Sequence, residues 1–362
     1  MKIKRRKSKI IRIGSVYIGG DNPVAIQAMT KTRTADIEKT LKQLEELRKA
    51  GCEIVRLAVK DNADALALKK IKKKACLPLV ADIHFDWRLA LSAIDCGVDK
   101  IRLNPGNIYK KEQVIAVAKA AKAAGIPIRV GLNSGSLPKA ASGESTPAIM
   151  SKAALDYIRI LEKAGFYDIV ISLKASNIAD TLEAYRRVSS LCDYPMHLGL
   201  TATGLTLEGA VKSSIAIGAL LLEGIGDTIR VSLTAAPQEE VRVARSILEA
   251  LGLRNFGHQL ISCPTCGRCE VNLVKIVQDL GAKISAESLG ELGLPFKVAV
   301  MGCLVNGPGE AREADIGLAF GKKKGLLFKN GKPVKKVSFK NCASVLLREI
   351  KKARAKKEDA LE

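Results

Sequence analysis

Ile54-Val-Arg-Leu-Ala-Val59, then a lysine-rich helical stretch near 62–74, then Leu79-Val-Ala-Asp-Ile83: the reading of this passage decides the fold. Two short apolar runs flank a segment long enough for a crossover helix, the pattern of two parallel strands joined through a helix. The pattern repeats in both directions. Upstream, Val24–Met29 precedes a helix from about Asp36 to Ala50. Downstream, a helix near 86–96 follows Ile83. The apolar runs Lys100–Asn104, Ile128–Asn133, Ile169–Lys174, Met196–Thr201 and Thr228–Thr234 then lead into helices near 110–124, 151–164, 178–191, 207–220 and 238–251. Eight strand–helix units in about 230 residues predict an α/β chain folded as a closed (β/α)8 TIM barrel, not an open doubly wound sheet. No Gly-x-Gly-x-x-Gly follows the first strand to suggest a dinucleotide fold. An alternating stretch over about 10–26, broken at Gly19-Gly20-Asp21-Asn22, predicts a hairpin ahead of the barrel.

The composition shifts near Gly252–Gly257. Beyond it the sequence predicts a helix near 271–280, strands at Phe296–Val300 and Ala314–Phe320, a hairpin turning at Asn330-Gly331, and a basic helix near 341–358. The expected organisation is therefore a barrel over 1–252 and a small α/β domain over 258–362.

In such barrels the active site sits at the strand C-terminal ends. Those tips are polar here: Asp82 and His84, Asn104 and Asn107, Asn133 and Ser136, Lys174 and Ser176, Thr201, Ser232. Arg56, Arg102, Arg129 and Arg230 lie inside apolar runs. A buried charge costs several kcal/mol unless it is paired, and the strands carry few acids. Each arginine alone could pair near the barrel floor or point outward. The four together with Lys174 predict a pocket for a multiply charged anion, a diphosphate better than a lone carboxylate.

The 362 residues carry 59 Lys and Arg against 37 Asp and Glu, a formal charge of +22, with 47% hydrophobic residues. That supports a packed core and excludes a disordered chain. Aromatic residues are only 4%, which leaves few stacking platforms for single-stranded nucleic acid. The excess charge gathers at Lys322–Lys324, Lys335-Lys336 and Lys351–Lys357, a solvated face or a surface for an acidic partner. No apolar run spans a membrane and no apolar core follows the basic N-terminus, so the expected place is the cytoplasm, without membrane or nucleic-acid partners. Nine cysteines in that setting argue for reduced thiols and metal ligation. Cys52, Cys76, Cys96, Cys192 and Cys342 read as small buried hydrophobes.

Ser262-Cys-Pro-Thr-Cys-Gly-Arg-Cys269 holds thiols three apart, and Cys303 follows in Met301-Gly-Cys-Leu-Val-Asn-Gly-Pro-Gly-Glu310. A tight turn and a distant loop supplying thiolates suit an iron–sulfur cluster. A zinc ribbon wants a second paired knuckle, and Cys303 has no cysteine two or three residues away. From spacing alone Cys263, Cys266, Cys269 and Cys303 would be four ligands.

Gln27-Ala-Met-Thr30, Gly51-Cys-Glu-Ile-Val-Arg56, Ala81-Asp-Ile-His84, Arg102-Leu-Asn-Pro-Gly-Asn107, His197-Leu-Gly199, Glu223–Leu233, Ser262–Arg268 and Val305–Glu310 together resemble the bacterial, two-domain 4-hydroxy-3-methylbut-2-enyl diphosphate synthase family. The resemblance spans nearly the whole chain. It implies an oxidoreductase acting on CH or CH2 groups in the methylerythritol phosphate route to isoprenoids. The reaction is reductive ring opening of 2-C-methyl-D-erythritol 2,4-cyclodiphosphate, with a hydroxyl lost as water. Two electrons come from reduced ferredoxin or flavodoxin. The resemblance further implies a homodimer and a [4Fe–4S] cluster on Cys263, Cys266, Cys303 and Glu310, with Glu310 also catalytic. Arg56, Arg102, Arg129, Asn133 and Lys174 match diphosphate contacts. Ser232 joins them as a substrate-binding residue at its strand tip, and Ser262 stands beside the cluster. Asp82 and His84 match polar positions near the substrate and are candidate catalytic groups. Two positions depart from the family pattern. Ala202 stands where many members have Glu, which leaves Asp82 or water to supply a proton, and Cys269 stands where a non-ligand is expected.

Two other classes meet less of the sequence. An iron–sulfur regulator or RNA-binding protein using the basic C-terminal face leaves the barrel arginines unexplained. A radical enzyme using S-adenosylmethionine would need Cys-x3-Cys-x2-Cys after the first strand, where Thr30 to Asp36 has no cysteine.

Overall fold

Alternating Ile11–Ile13 (β1) and Val16–Ile18 (β2) pair antiparallel and bury Ile11, Ile13 and Ile18 against Ala25, Ile54, Val80 and Val170. Those four residues stand at the starts of barrel strands, so the hairpin plugs the N-terminal mouth. Its turn falls at Gly14-Ser15, where Gly14 has φ +58°, and not at Gly19–Asn22, which ends the element. In a computed structural model of the protein, residues 3–137, 144–201, 204–286, 296–304, 309, 314–322 and 324–358 are described. The chain divides into two units, Met1–Arg254 and Asn255–Glu362.

Eight parallel strands make the barrel wall in consecutive order: β3 (Ala25–Met29), β4 (Ile54–Val59), β5 (Leu79–Ile83), β6 (Lys100–Leu103), β7 (Ile128–Asn133), β8 (Ile169–Lys174), β9 (His197–Leu198) and β10 (Thr228–Ile229). β10 returns to β3, and an Ile171–Met196 bridge closes β8 onto β9. The last two strands are shorter than the apolar runs predict. The chain loses regular pairing at Gly199, where it passes so close to Arg230 that a Cβ would stand 2.6 Å from the Arg230 carbonyl oxygen.

The crossover helices are α1 (Ile37–Ala50), α2 (Asn62–Lys74), α3 (Trp87–Asp95), α4 (Lys111–Ala124), α5 (Thr146–Lys163), α6 (Ile178–Ser189), α7 (Thr206–Leu222) and α8 (Pro237–Ala250). Asp36, Asp61, Asp86 and Asn177 precede α1, α2, α3 and α6, and each accepts a backbone N–H from the first turn. Each such cap stabilises by about 1 kcal/mol and fixes where the strand-to-helix loop ends.

In the second unit β11 (His258–Ser262), β12 (Phe296–Met301) and β13 (Ile316–Phe320) run parallel, and β14 (Gly325–Lys329) and β15 (Lys332–Val337) continue antiparallel. Asn330 (φ +46°) and Gly331 (φ +72°) make the predicted hairpin turn, since both central positions need left-handed backbone. Helices α9 (Leu273–Ala286) and α10 (Cys342–Glu358) supply Leu273, Leu280, Ile284, Leu346 and Ile350 to a core with Val298, Val300, Ile316 and Leu318. β11 is a strand that sequence reading did not anticipate. Its five residues, His-Gln-Leu-Ile-Ser, hold only two large apolar side chains.

Candidate active site

Parallel register places Asp82 beside Arg102, and Arg102 beside Arg129, on three neighbouring strands. It also places Asn133 beside Lys174. The result is a cavity of about 490 Å³ at the strand C-terminal ends. Of the residues predicted for substrate or catalysis in the barrel, Arg56, Asp82, His84, Arg102, Arg129, Asn133, Lys174 and Ser232 all line it. Arg230, Met29, Asn104, Asn107, Ser172, Leu200 and Thr201 complete the wall.

The cavity holds more cation than anion. Asp82 is the acid that serves it, with Oδ1 3.0 Å from Arg102 Nη1 and Oδ2 3.6 Å from Arg56 Nε and 3.8 Å from His84 Nε2. Burial pushes the Asp82 carboxyl up, but Arg56, Arg102, Arg129 and His84 outweigh it and hold it far below the usual range. Asp82 is thus ionised and fixed in place. Asp82 is the expected stand-in for the acid missing at Ala202, a residue outside those described; in the ligand-free cavity it serves as the counter-charge of Arg56 and Arg102.

Arg102 also donates to the Gly131 carbonyl at 2.8 Å, and Arg56 donates to Met29 Sδ at 2.9 and 3.1 Å. Arg230 reaches Glu240 at 3.4 Å. Arg129 is 1% exposed, and its Nε and Nη1 are buried without a partner among the described residues. Lys174 is buried with no carboxylate in ion-pair reach among the described residues. Burial, and then the neighbouring arginines, pull Lys174 and Arg129 well below their ordinary pKa and draw Arg56 to about 10. A guanidinium keeps its proton even so. Burial and mutual repulsion thus both disfavour these charges until an anion enters. The thought that each strand arginine pairs with its own acid fails here, because Arg56 and Arg102 share one carboxylate.

Beneath the cavity lie two groups that sequence reading did not weigh as a pair. Lys100 is fully buried and donates to Gln27 Oε1 at 3.4 Å, and burial pulls it well down. His197 is fully buried with Nδ1 2.8 Å from Thr228 Oγ1, and burial followed by Arg129 and Lys174 keeps it neutral. Lys100 opens a strand, where a lysine ordinarily points to water, so nothing local betrayed it.

In the second unit β11 ends at exposed Ser262, and the thiol loop follows. Cys263, Cys269 and Cys303 are half-buried and Cys266 is exposed. Cys263 Sγ accepts the Gly302 N–H at 3.2 Å. A Cβ on Gly302 would stand 2.5 Å from Cys269 Sγ and 3.5 Å from Cys263 Sγ. Glycine is needed there to leave room for sulfur. Among the described residues no three His, Cys, Asp or Glu are gathered closely enough to hold a metal as they stand. Glu310 lies outside the described residues. The donor set nonetheless fits an iron–sulfur cluster: soft thiols, one already receiving a backbone N–H, around a glycine cradle. Of the cysteines expected in the core, Cys52 and Cys342 are buried, and burial pushes the Cys52 thiol up to about 12. Cys76 is exposed, and Cys96 and Cys192 are half-buried, against expectation. Cys76 follows the end of α2 and falls on the surface loop before β5.

A (β/α)8 barrel with a cation-lined cavity and a thiol-bearing α/β domain is the class that these features define. Comparison with known proteins narrows it. The GcpE TIM-barrel domain matches residues 8–245, and the GcpE protein C-terminal domain matches 259–352. Two similar relatives are each called 4-hydroxy-3-methylbut-2-en-1-yl diphosphate synthase (flavodoxin). The one from Caldanaerobacter subterraneus subsp. tengcongensis is 52% identical, over 97% of this chain and 98% of its own. The one from Thermodesulfovibrio yellowstonii is 53% identical, over 97% and 100%. The chain belongs to this family. Among solved structures, a dihydropteroate synthase from Stenotrophomonas maltophilia covers 66% of the chain at 14% identity with a TM-score of 0.50, a likeness of fold alone.

Proposed function

We propose that the protein opens 2-C-methyl-D-erythritol 2,4-cyclodiphosphate reductively to 4-hydroxy-3-methylbut-2-enyl diphosphate, with loss of a hydroxyl as water. This is a step of the methylerythritol phosphate route to isoprenoids. The observation that carries the reading is the cavity that Arg56, Arg102, Arg129, Arg230 and Lys174 line together, where Asp82 serves Arg56 and Arg102 and Glu240 serves Arg230. A diphosphate supplies the missing negative charge, and planar guanidinium groups grip its oxygens two at a time. Asp82 aims Arg56 and Arg102. Asn133, Ser232 and His84 offer polar contacts at the rim, with His84 Nε2 3.8 Å from Asp82 Oδ2.

Cys263, Cys266 and Cys303, with Glu310 as an exchangeable fourth ligand, would hold a [4Fe–4S] cluster beside Ser262. Such a group passes single electrons and offers a Lewis-acidic iron. Flavodoxin, part of the relatives' names, is the proposed electron donor, with ferredoxin as the alternative. The protein works in the cytoplasm as a homodimer. Leu207, Val211, Ile215 and Leu222 support the dimer, because they form an exposed apolar stripe at helical spacing along α7. Among the described residues no helix is long and apolar enough to cross a membrane.

The test is turnover of the cyclodiphosphate by anaerobically purified protein with reduced flavodoxin or a chemical reductant. Brown protein forming the linear diphosphate is expected. Brown protein inert toward this substrate, or colourless zinc protein, would overturn the proposal.

A further inference from the structure

We propose that Cys263 and Cys269 close into a reversible disulfide when an oxidant strips the thiol site of its metal, with Cys269 as the resolving thiol. The inference rests on reading the loop as the seat of a cluster. It goes beyond that reading by giving Cys269 a task that metal binding leaves open. Both sulfurs crowd one point, 2.5 Å and 3.5 Å from where a Cβ of Gly302 would stand. Cys266 is not among the nearest atoms at that point, and it is exposed. The turn that follows it, closed by the Cys269 N–H on the Cys266 carbonyl at 2.9 Å, folds Cys269 back toward Cys263. Cys269 Sγ donates to the Val271 carbonyl at 3.2 Å, which holds it in place. The Gly302 N–H on Cys263 Sγ, at 3.2 Å, holds that sulfur in turn.

The chemistry balances with a peroxide as oxidant. Cys263 sulfur attacks hydrogen peroxide, forming an S–O bond as the O–O bond breaks, and hydroxide leaves to take a proton as water. Cys269 sulfur then attacks the sulfenic sulfur. The S–S bond forms, the S–O bond breaks, and a second water leaves. Two thiols have lost two electrons to one peroxide. A thiol reductant reverses the step, whereas further oxidation to sulfinic acid would not be reversible. The disulfide therefore stores the vacated ligand in a recoverable form.

The test uses the full-length, cluster-loaded protein. After hydrogen peroxide, free thiols are blocked with iodoacetamide and peptides are mapped by mass spectrometry. A Cys263–Cys269 link, undone by dithiothreitol, is expected, and ferrous iron with sulfide should then restore the visible absorbance. In Cys269→Ser, sulfinic or sulfonic acid should appear at Cys263, and restored absorbance should fall by about fivefold or more. A Cys263–Cys266 or Cys303 link, or equal recovery by Cys269→Ser, overturns the proposal. Should that variant fail to fold, Gly302→Ala forces the two sulfurs apart and should lower the disulfide yield; an unchanged yield overturns it equally. Absorbance before oxidation reports separately on the cluster reading, and the disulfide map can be read on colourless protein as well.

Discussion

Replacing Arg129 with Met should separate ligand binding from stability. The side chain is 1% exposed, two of its nitrogens have no partner among the described residues, and its charge is crowded by Arg56 and Arg102. Without ligand, such a cation costs several kcal/mol, and replacing a buried charge by an apolar group of similar volume often gains about 1–4 kcal/mol. With the diphosphate bound, the same group gives charge-assisted hydrogen bonds of about 1.5–3 kcal/mol each. Losing two of them weakens binding by about 10²- to 10⁴-fold. Scanning calorimetry of the ligand-free and ligand-saturated variant reads both effects. The ligand-free melting point should rise by about 2–4 °C per kcal/mol gained. The rise that ligand gives the wild type, about 2.7 kcal/mol at a hundred times Kd, should fall to about 0.4 kcal/mol or less at that concentration. A ligand-free variant weakened by about 3–5 kcal/mol, as when a buried ion pair is severed, would refute the reasoning. Arg129 would then be paired scaffolding.

Asp82→Asn strips Arg56 and Arg102 of their counter-charge and should cost about 3–5 kcal/mol at pH 7. The folded carboxyl titrates below its unfolded value of about 3.9, so its stabilisation is present above that value and fades as pH falls through the folded one. Urea melts should show the gap between wild type and variant closing below about pH 4. Gly199→Ala sets a Cβ 2.6 Å from both the Arg230 carbonyl oxygen and Lys174 Nζ. It should cost about 1–3 kcal/mol and raise KM while leaving the circular dichroism of the barrel intact. Ile215→Arg puts a charge in the middle of the α7 stripe. Analytical ultracentrifugation should show monomer, and an unchanged dimer would remove that stripe from the interface.

The barrel was legible because its signal is repetition, and the repeated units survive errors at any one boundary. The cavity was legible because an arginine inside an apolar run is costly and therefore conspicuous. The hidden parts have physical reasons. Glu240 is 2% exposed and serves Arg230 and Lys31, yet it sits in the first turn of α8, where glutamate is common on any surface helix. Met29 accepts from Arg56 through sulfur, a role that no sequence pattern marks. The nearness of Cys269 to Cys263 depends on how the 266–269 turn folds over Gly302, which spacing alone does not encode.

The closure of the barrel has a consequence for amide hydrogen exchange. Seven of its eight junctions are ladders of two or more residue pairs, while β8 meets the β9 segment through an isolated Ile171–Met196 bridge and a long 3.5 Å bond from the Thr201 N–H to the Ala175 carbonyl. Opening free energies follow local pairing, so protection should be lowest along that seam. The seam also carries Lys174 on one side and Gly199 on the other. The part of the wall that opens first is then the part that a bound anion would stitch shut, and ligand should slow exchange there more than anywhere else in the barrel.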